Sequence, residues 1–360
     1  MVSYVHRGRA AVANGLAEAT LWLMAGLHVL AALSFVAVLF AAAQADAAEE
    51  PASCGGANIL AEIQESDPAM YQRLVEEAGA APNGKGIFWK VEKEGTAPSY
   101  LLGTMHVTDP RVLAMPEAAR SAYAAASTVV IESDEIADEK KAATALLAHP
   151  ELTMFMDGRT ITDLLDKHDV EVLSAGLKKR GLSLAAVSRM KPWMLASFVA
   201  LPACELARKA AGASFLDQKL AKDAIADGKT LKGLETLLEQ ISSLDSLPLE
   251  PQLEGLVQTV ALGDQLNDVI ETMSQLYLAG DIGMIMPMMR AAVAEDEDGT
   301  GYADFEQRII IDRNHRMAER GAPILDGGNV FMAVGALHLP GEEGLIELFR
   351  KQGFVITRVQ

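Results

Sequence analysis

The sequence predicts an α/β fold with α+β character, in which a central mixed sheet is built from the N- and C-terminal thirds and a large helical insertion spans about residues 140–320. Three observations predict it. Short apolar, β-branched runs gather near the two ends of the chain, where strands are expected. The stretch from Ser99 to Glu132 reads strand, helix, strand at the spacing of a βαβ unit, which makes those strands parallel. The middle of the chain keeps a 3.6-residue apolar period with Pro and Gly punctuation, the signature of packed helices.

Taken in order, the chain opens on an export segment. Arg7 and Arg9 precede an uncharged apolar run from Leu21 to Ala43 that is long enough to span a bilayer, and Ala43-Gln44-Ala45 and Ala45-Asp46-Ala47 both have the A-x-A form of a cleavage site. Residues 1–48 therefore read as a cleaved signal peptide or an uncleaved membrane anchor through Leu21–Ala43, and 49–360 as the exported domain, periplasmic or held at the membrane outside the cytoplasm. Ile59 to Glu77 reads as helix, interrupted at Asp67-Pro68. Gly86–Val91 and Ser99–Leu102 read as strands joined by the turn-rich Lys93-Glu94-Gly95-Thr96-Ala97-Pro98. A helix follows Asp109-Pro110 through about Ala126, then a strand from Thr128 to Glu132. Within the helical insertion, Thr230–Glu235 is a short strand candidate. The Met cluster 284, 286, 288 and 289 reads as core packing, and the acidic run at 295–301 as a charged loop without the form of a calcium loop. The chain closes with a strand at Asn329–Val334, a helix at Glu342–Gln352 and a strand at Phe354–Arg358.

Composition narrows the function. The 360 residues are 50% hydrophobic, enough for a large core, and carry 31 Lys plus Arg against 49 Asp plus Glu, a net charge of −18. A balance this acidic argues against a nucleic-acid surface, which needs cations for phosphates. The two cysteines, Cys54 and Cys204, are an even count beyond an export segment and read as one disulfide. No C-x-x-C, H-E-x-x-H, G-x-S-x-G, Walker A or G-x-G-x-x-G pattern occurs.

The chemistry-bearing signal is a repeated form. Ser99-Tyr100-Leu101-Leu102-Gly103-Thr104-Met105-His106 and Val330-Phe331-Met332-Ala333-Val334-Gly335-Ala336-Leu337-His338 are each an apolar strand followed by Gly-x-x-His. Parallel strands carry ligands and catalytic groups at their carboxyl ends, so the two imidazoles are expected in one crevice. Glu132 ends the strand after His106 and is expected beside it. His106, Glu132 and His338 form a ligand set for a catalytic divalent metal, with manganese, cobalt or zinc suited to such donors. Without metal the same trio serves as general base, orienting carboxylate and acid. Glu132 reads alternatively as part of the solvated patch Asp134, Glu135, Asp138 and Glu139. Arg313 reads either as an oxyanion stabiliser or as a helix-surface salt bridge, and Glu235 either as a site carboxylate or as the N-terminal acid of the next helix. His6, His28, His149, His168 and His315 lie in the export segment or in polar surroundings.

These runs resemble the TraB/GumN family. The resemblance is carried by Gly86–Val91, both Gly-x-x-His segments, Val130-Ile131-Glu132, Lys191-Pro192-Trp193, Leu216-Asp217, Gly233-Leu234-Glu235-Thr236, Asp312-Arg313-Asn314 and the closing Leu339-Pro340-Gly341, across roughly residues 54–360. It implies a metal site at His106, Glu132 and His338 supported by Arg313, and the metal-dependent protease chemistry ascribed to the Tiki members of that family. The expectation is an exported, divalent-metal-dependent hydrolase, in the form of a peptidase, acting on a peptide or small-molecule substrate. The alternative is a non-catalytic protein that binds or sequesters peptides on the same scaffold.

Overall fold

The structure, a computed structural model, describes residues 54–292 and 300–359. Residues 1–53, which hold the expected export segment, and the first part of the acidic loop at 295–301 lie outside the described residues.

Six strands form one mixed sheet: β1 (Phe88–Glu92), β2 (Ser99–Thr104), β3 (Thr128–Ile131), β4 (Thr230–Gly233), β5 (Val330–Gly335) and β6 (Val355–Arg358). Their order across the sheet is β4-β3-β5-β2-β1-β6. β1 and β2 form the expected antiparallel hairpin, and β6 closes that edge antiparallel to β1. The other three pairings, β2 with β5, β5 with β3 and β3 with β4, are all parallel. The β-branched and aromatic residues of these strands alternate between two cores. Leu101, Val130 and Met332 face one, while Leu102, Val129 and Phe331 face the other. A sheet buried on both faces needs such continuous apolar runs, and every residue of β5 is buried.

The helices that bear on the site are α1 (Ile59–Ser66), α2 (Pro68–Ala80), α3 (Glu117–Ala125), α4 (Ala203–Ala210), α5 (Leu216–Ala226), α6 (Leu237–Asp245), α7 (Leu266–Leu278), α8 (Asp312–Leu325) and α9 (Leu345–Lys351). Asp67 ends α1 and caps α2, its side chain accepting from the Met70 amide, so the expected break at Asp67-Pro68 is a two-helix corner. α3 is the crossover between β2 and β3. Among its described residues the insertion is mostly helical, and β4 returns from it to the sheet as an edge strand. Met284, Met288 and Met289 are buried in the core. α8 follows a π-helical segment, Glu306–Ile311, a wider turn often found near functional sites.

One topological expectation is corrected. Glu132 does not stand beside the His106 strand, because β5 inserts between β2 and β3. A crossover helix fixes handedness but leaves room for a later strand, and the C-terminal strand takes that place. Glu132 consequently neighbours His338, and His106 finds a different carboxylate.

Candidate active site

Four parallel strands end at one edge of the sheet, and each delivers polar residues there: β2 leads to His106, β3 to Glu132, β4 to Glu235 and β5 to His338. All four residues are buried, at 5%, 5%, 3% and 0% exposure. The solvated-face reading of Glu132 is thereby excluded.

The two Gly-x-x-His segments pack on each other. Thr104 of β2 is in register with Gly335 of β5. A Cβ on Gly103 would lie 2.8 Å from Leu339 Cδ1 and 3.0 Å from Ala336 Cα, so the first glycine is what lets the turn carrying the second histidine approach β2. The Gly103 carbonyl accepts from the Tyr277 hydroxyl of α7 at 2.9 Å. Burial, with the Asp217 charge adding to it, holds that phenol above its usual range.

His106 and His338 each face a carboxylate. His106 Nε2 stands 3.5 Å from Asp217 Oδ2, in the first turn of α5. Asp217 Oδ1 accepts from the Thr104 hydroxyl at 2.8 Å, while Oδ2 is buried without a hydrogen-bond partner among the protein atoms. His338 Nε2 stands 3.7 Å from Glu132 Oε1. Its Nδ1 pairs with Asn314 Oδ1 at 2.7 Å, and Asn314 is itself held by its amide donating to the Glu343 carbonyl at 2.8 Å. With its own amide nitrogen donating to Glu343, Asn314 offers Oδ1 as an acceptor, which makes Nδ1 the donor of this pair.

Glu132 is anchored on both oxygens. Oε1 accepts from the Gly335 amide at 2.7 Å, and Oε2 accepts from Arg313 Nη2 at 2.6 Å and Gln240 Nε2 at 3.1 Å. Arg313 is 2% exposed, which excludes the surface salt-bridge reading. It also donates to Glu235 Oε2 from Nε at 2.9 Å and from Nη2 at 2.7 Å. Burial alone would depress this guanidinium, but Glu235 and Glu132 override it and hold the group above its usual value. Glu235 takes a second cation, Arg316, on Oε1 at 2.6 Å. It acts as a buried counterion rather than as a helix-end acid, since α6 is capped by Thr236 and Glu239.

The three expected ligands His106, Glu132 and His338 follow strands that end at one edge of the sheet, Glu235 follows β4 there, and Arg313 reaches Glu132 and Glu235 from α8. Sequence reasoning assigned no role to Asp217, Asn314 or Gln240. The available signal for Asp217 was an acid inside the otherwise buried start of a helix, between Leu216 and Leu220.

Three of His, Cys, Asp and Glu do not converge closely enough to hold a cation among the described residues. The site instead presents two His–carboxylate pairs. Separations of 3.5 and 3.7 Å are longer than a direct hydrogen bond and leave each imidazole facing its carboxylate. The buried, unpartnered Asp217 oxygen is the atom whose satisfaction a cation would supply. Imidazole and carboxylate are donor types that divalent metals accept.

The disulfide borders this region. Cys54 and Cys204 are joined, their Cα atoms 5.2 Å apart. The neighbouring Glu205 is 1% exposed. Its Oε2 accepts from the Thr108 amide at 2.8 Å and hydroxyl at 2.7 Å, and its Oε1 from Arg208 at 3.0 Å. α4 thereby clamps the loop that follows His106.

Comparison with known proteins places the chain in a family. The sequence profile of the TraB/PrgY/gumN family matches residues 87–358. The chain is similar to Metalloprotease TIKI2 of Danio rerio, 25% identical over 313 residues that cover 75% of this chain and 60% of that protein. It is similar to Metalloprotease TIKI homolog of Nematostella vectensis, 24% identical over 349 residues, 84% of this chain and 71% of the relative. Metalloprotease TIKI1 of Danio rerio is 24% identical over 316 residues, 75% of this chain and 62% of that protein. The chain thus spans under two thirds of the two zebrafish proteins. No solved structure matches.

Proposed function

From the chain's membership of the TraB/PrgY/gumN family, we propose that it is a divalent-metal-dependent hydrolase acting on peptides outside the cytoplasm. One observation carries this reading: at the carboxyl ends of parallel strands, two buried histidines face two buried carboxylates at 3.5 and 3.7 Å. The imidazoles of His106 and His338 and the carboxylates of Asp217 and Glu132 are the donors that such an ion would draw together. A bound cation would supply Lewis acidity at a substrate carbonyl. The chain's own residues prepare the ground. Asn314 sets the His338 tautomer, Thr104 orients Asp217, and the Gly335 amide with Gln240 and Arg313 fixes Glu132. Arg313 and Glu235 serve as positioning residues, because the guanidinium contacts reach only carboxylates of the site. The metalloprotease names of the relatives support the reaction class, and the disulfide supports an oxidising compartment.

The test is metal analysis of the purified chain followed by incubation with a peptide library read by mass spectrometry, with and without chelator. Chelator-sensitive cleavage that His106→Ala and Asp217→Asn both abolish is expected. Cleavage indifferent to chelator and to added metal would overturn the metal-dependent reading. Peptide capture without turnover by the wild-type chain would favour the non-catalytic alternative.

A further inference from the structure

Lys209 of α4 is a buried cation that the site described so far does not use. It is 7% exposed, and its Nζ has no hydrogen-bond partner among the protein atoms. The nearest acid on its own helix is Glu205, but that carboxylate is already committed on both oxygens to Thr108 and Arg208. What the ammonium does have is a ring: Nζ lies 5.5 Å from the centroid of Phe215. The same ring lies 5.2 Å from the imidazole of His106. Phe215 caps α5, two residues before Asp217. One aromatic ring is therefore the common neighbour of this ammonium and of the imidazole that the proposed chemistry uses.

A buried charge without an acceptor is costly, and proteins keep such groups where function supplies the missing partner. The cation–π contact returns part of that cost but supplies no acceptor for three N–H donors. The flexible four-carbon stem lets the head group swing towards an incoming anion. We propose that Lys209 is the recognition residue for a carboxylate on the bound peptide, which it holds within about three extended residues of the bond lying at His106. The carboxylate comes from the peptide's C-terminus or from an acidic side chain near it. This names the substrate end that the proposed hydrolase reads, and so rests on that reading. Burial keeps the Lys209 ammonium down at about 8, with Glu205 opposing the shift, so it carries charge at neutral pH.

The test is a binding measurement on the full chain with three equimolar mixtures of short, otherwise uncharged peptides. The first has free C-termini, the second the same sequences amidated, and the third amidated sequences with one glutamate. Retention through ultrafiltration is read by mass spectrometry. A preference of about tenfold or more for the free-acid mixture over the amidated one is expected from one charge-assisted hydrogen bond. Retention of the glutamate mixture as well assigns the carboxylate to a side chain too. Lys209→Arg should keep the preference and Lys209→Met should lose it. Because methionine removes an unpaired buried charge without opening a cavity, K209M should melt no lower than the wild type, which separates lost recognition from lost folding. Equal retention of all three mixtures, retention of none, or a preference that survives in folded K209M would overturn the proposal. Cleavage in the same incubations is scored separately. Cleavage without carboxylate preference removes only the Lys209 role, and preference without cleavage removes only the hydrolase reading.

Discussion

Replacing Arg313 with methionine should destabilise the chain by about 3–5 kcal/mol, the usual result of removing one partner from a buried ion pair. The structure shows why the figure applies. Arg313 is 2% exposed and donates three hydrogen bonds to two carboxylates, Glu132 and Glu235, whose side chains are 7% and 0% exposed. Glu235 keeps Arg316 after the change, and Glu132 keeps the Gly335 amide and Gln240, which places the loss nearer the lower figure. At roughly 2–3 °C per kcal/mol for a chain of this size, the melting temperature should fall by about 6–15 °C. Calorimetry and urea unfolding of wild type, R313M, R313K and the double variant R313M/E235Q would measure it. Lysine cannot span both carboxylates with one head group and should recover only part of the loss. The double variant should be no more stable than R313M, because Glu235 keeps Arg316 as its cation and E235Q would take that guanidinium's carboxylate away. An R313M chain within about 1 kcal/mol of wild type would refute the buried triad as a structural unit.

Four further predictions follow from particular contacts. Gly103→Ala should cost about 1–3 kcal/mol in urea unfolding, because its Cβ would stand 2.8 Å from Leu339 Cδ1 and the turn bearing His338 must shift. Lys209 holds fewer protons folded than unfolded between pH 8 and its ordinary 10.5, so wild-type stability should rise relative to K209M across that window, with the full penalty below pH 8; parallel melting curves would show it. Reducing the Cys54–Cys204 bond, which closes a separation of 150 residues, should lower the melting temperature, with roughly 5 kcal/mol as the upper figure from chain entropy. If residues 1–48 act as a cleaved leader, N-terminal sequencing of chain recovered from membrane and soluble fractions should find a start within Asp46–Glu49, whereas full-length chain confined to membranes would mark an anchor.

The parallel strands were legible because their signal is local. Runs such as Tyr100-Leu101-Leu102 and Val330-Phe331-Met332-Ala333-Val334 are short, apolar and stopped by glycine, and each glycine is followed at a fixed spacing by a histidine. The strand order was not legible, because nothing local to Thr128–Ile131 records that β5 will settle between it and β2. That is why Glu132 was expected against His106 and stands against His338. Asp217 shows the same limit from the other side. Its carboxylate matters through Thr104 and His106, more than a hundred positions earlier, and one helix's pattern carries no trace of such partners. Arg313 lay between two readings because a helix sequence does not say which of its charged residues faces inward. The answer depends on Glu132 and Glu235, which arrive from two different strands.

The central place of β5 has a consequence for synthesis. Until Val330–Gly335 leaves the ribosome, β2 and β3 have no partner between them, and each exposes an unpaired hydrogen-bonding edge. The hairpin of β1 and β2 can form early, but the sheet and the crevice at its end close only with the final tenth of the chain. Long-range parallel pairing of this kind is slow and leaves apolar edges open to association. A chain stopped before Val330 should therefore be degraded by limited proteolysis throughout, with no protected sheet core. The site that gathers His106, Glu132 and His338 cannot assemble until β5 is in place.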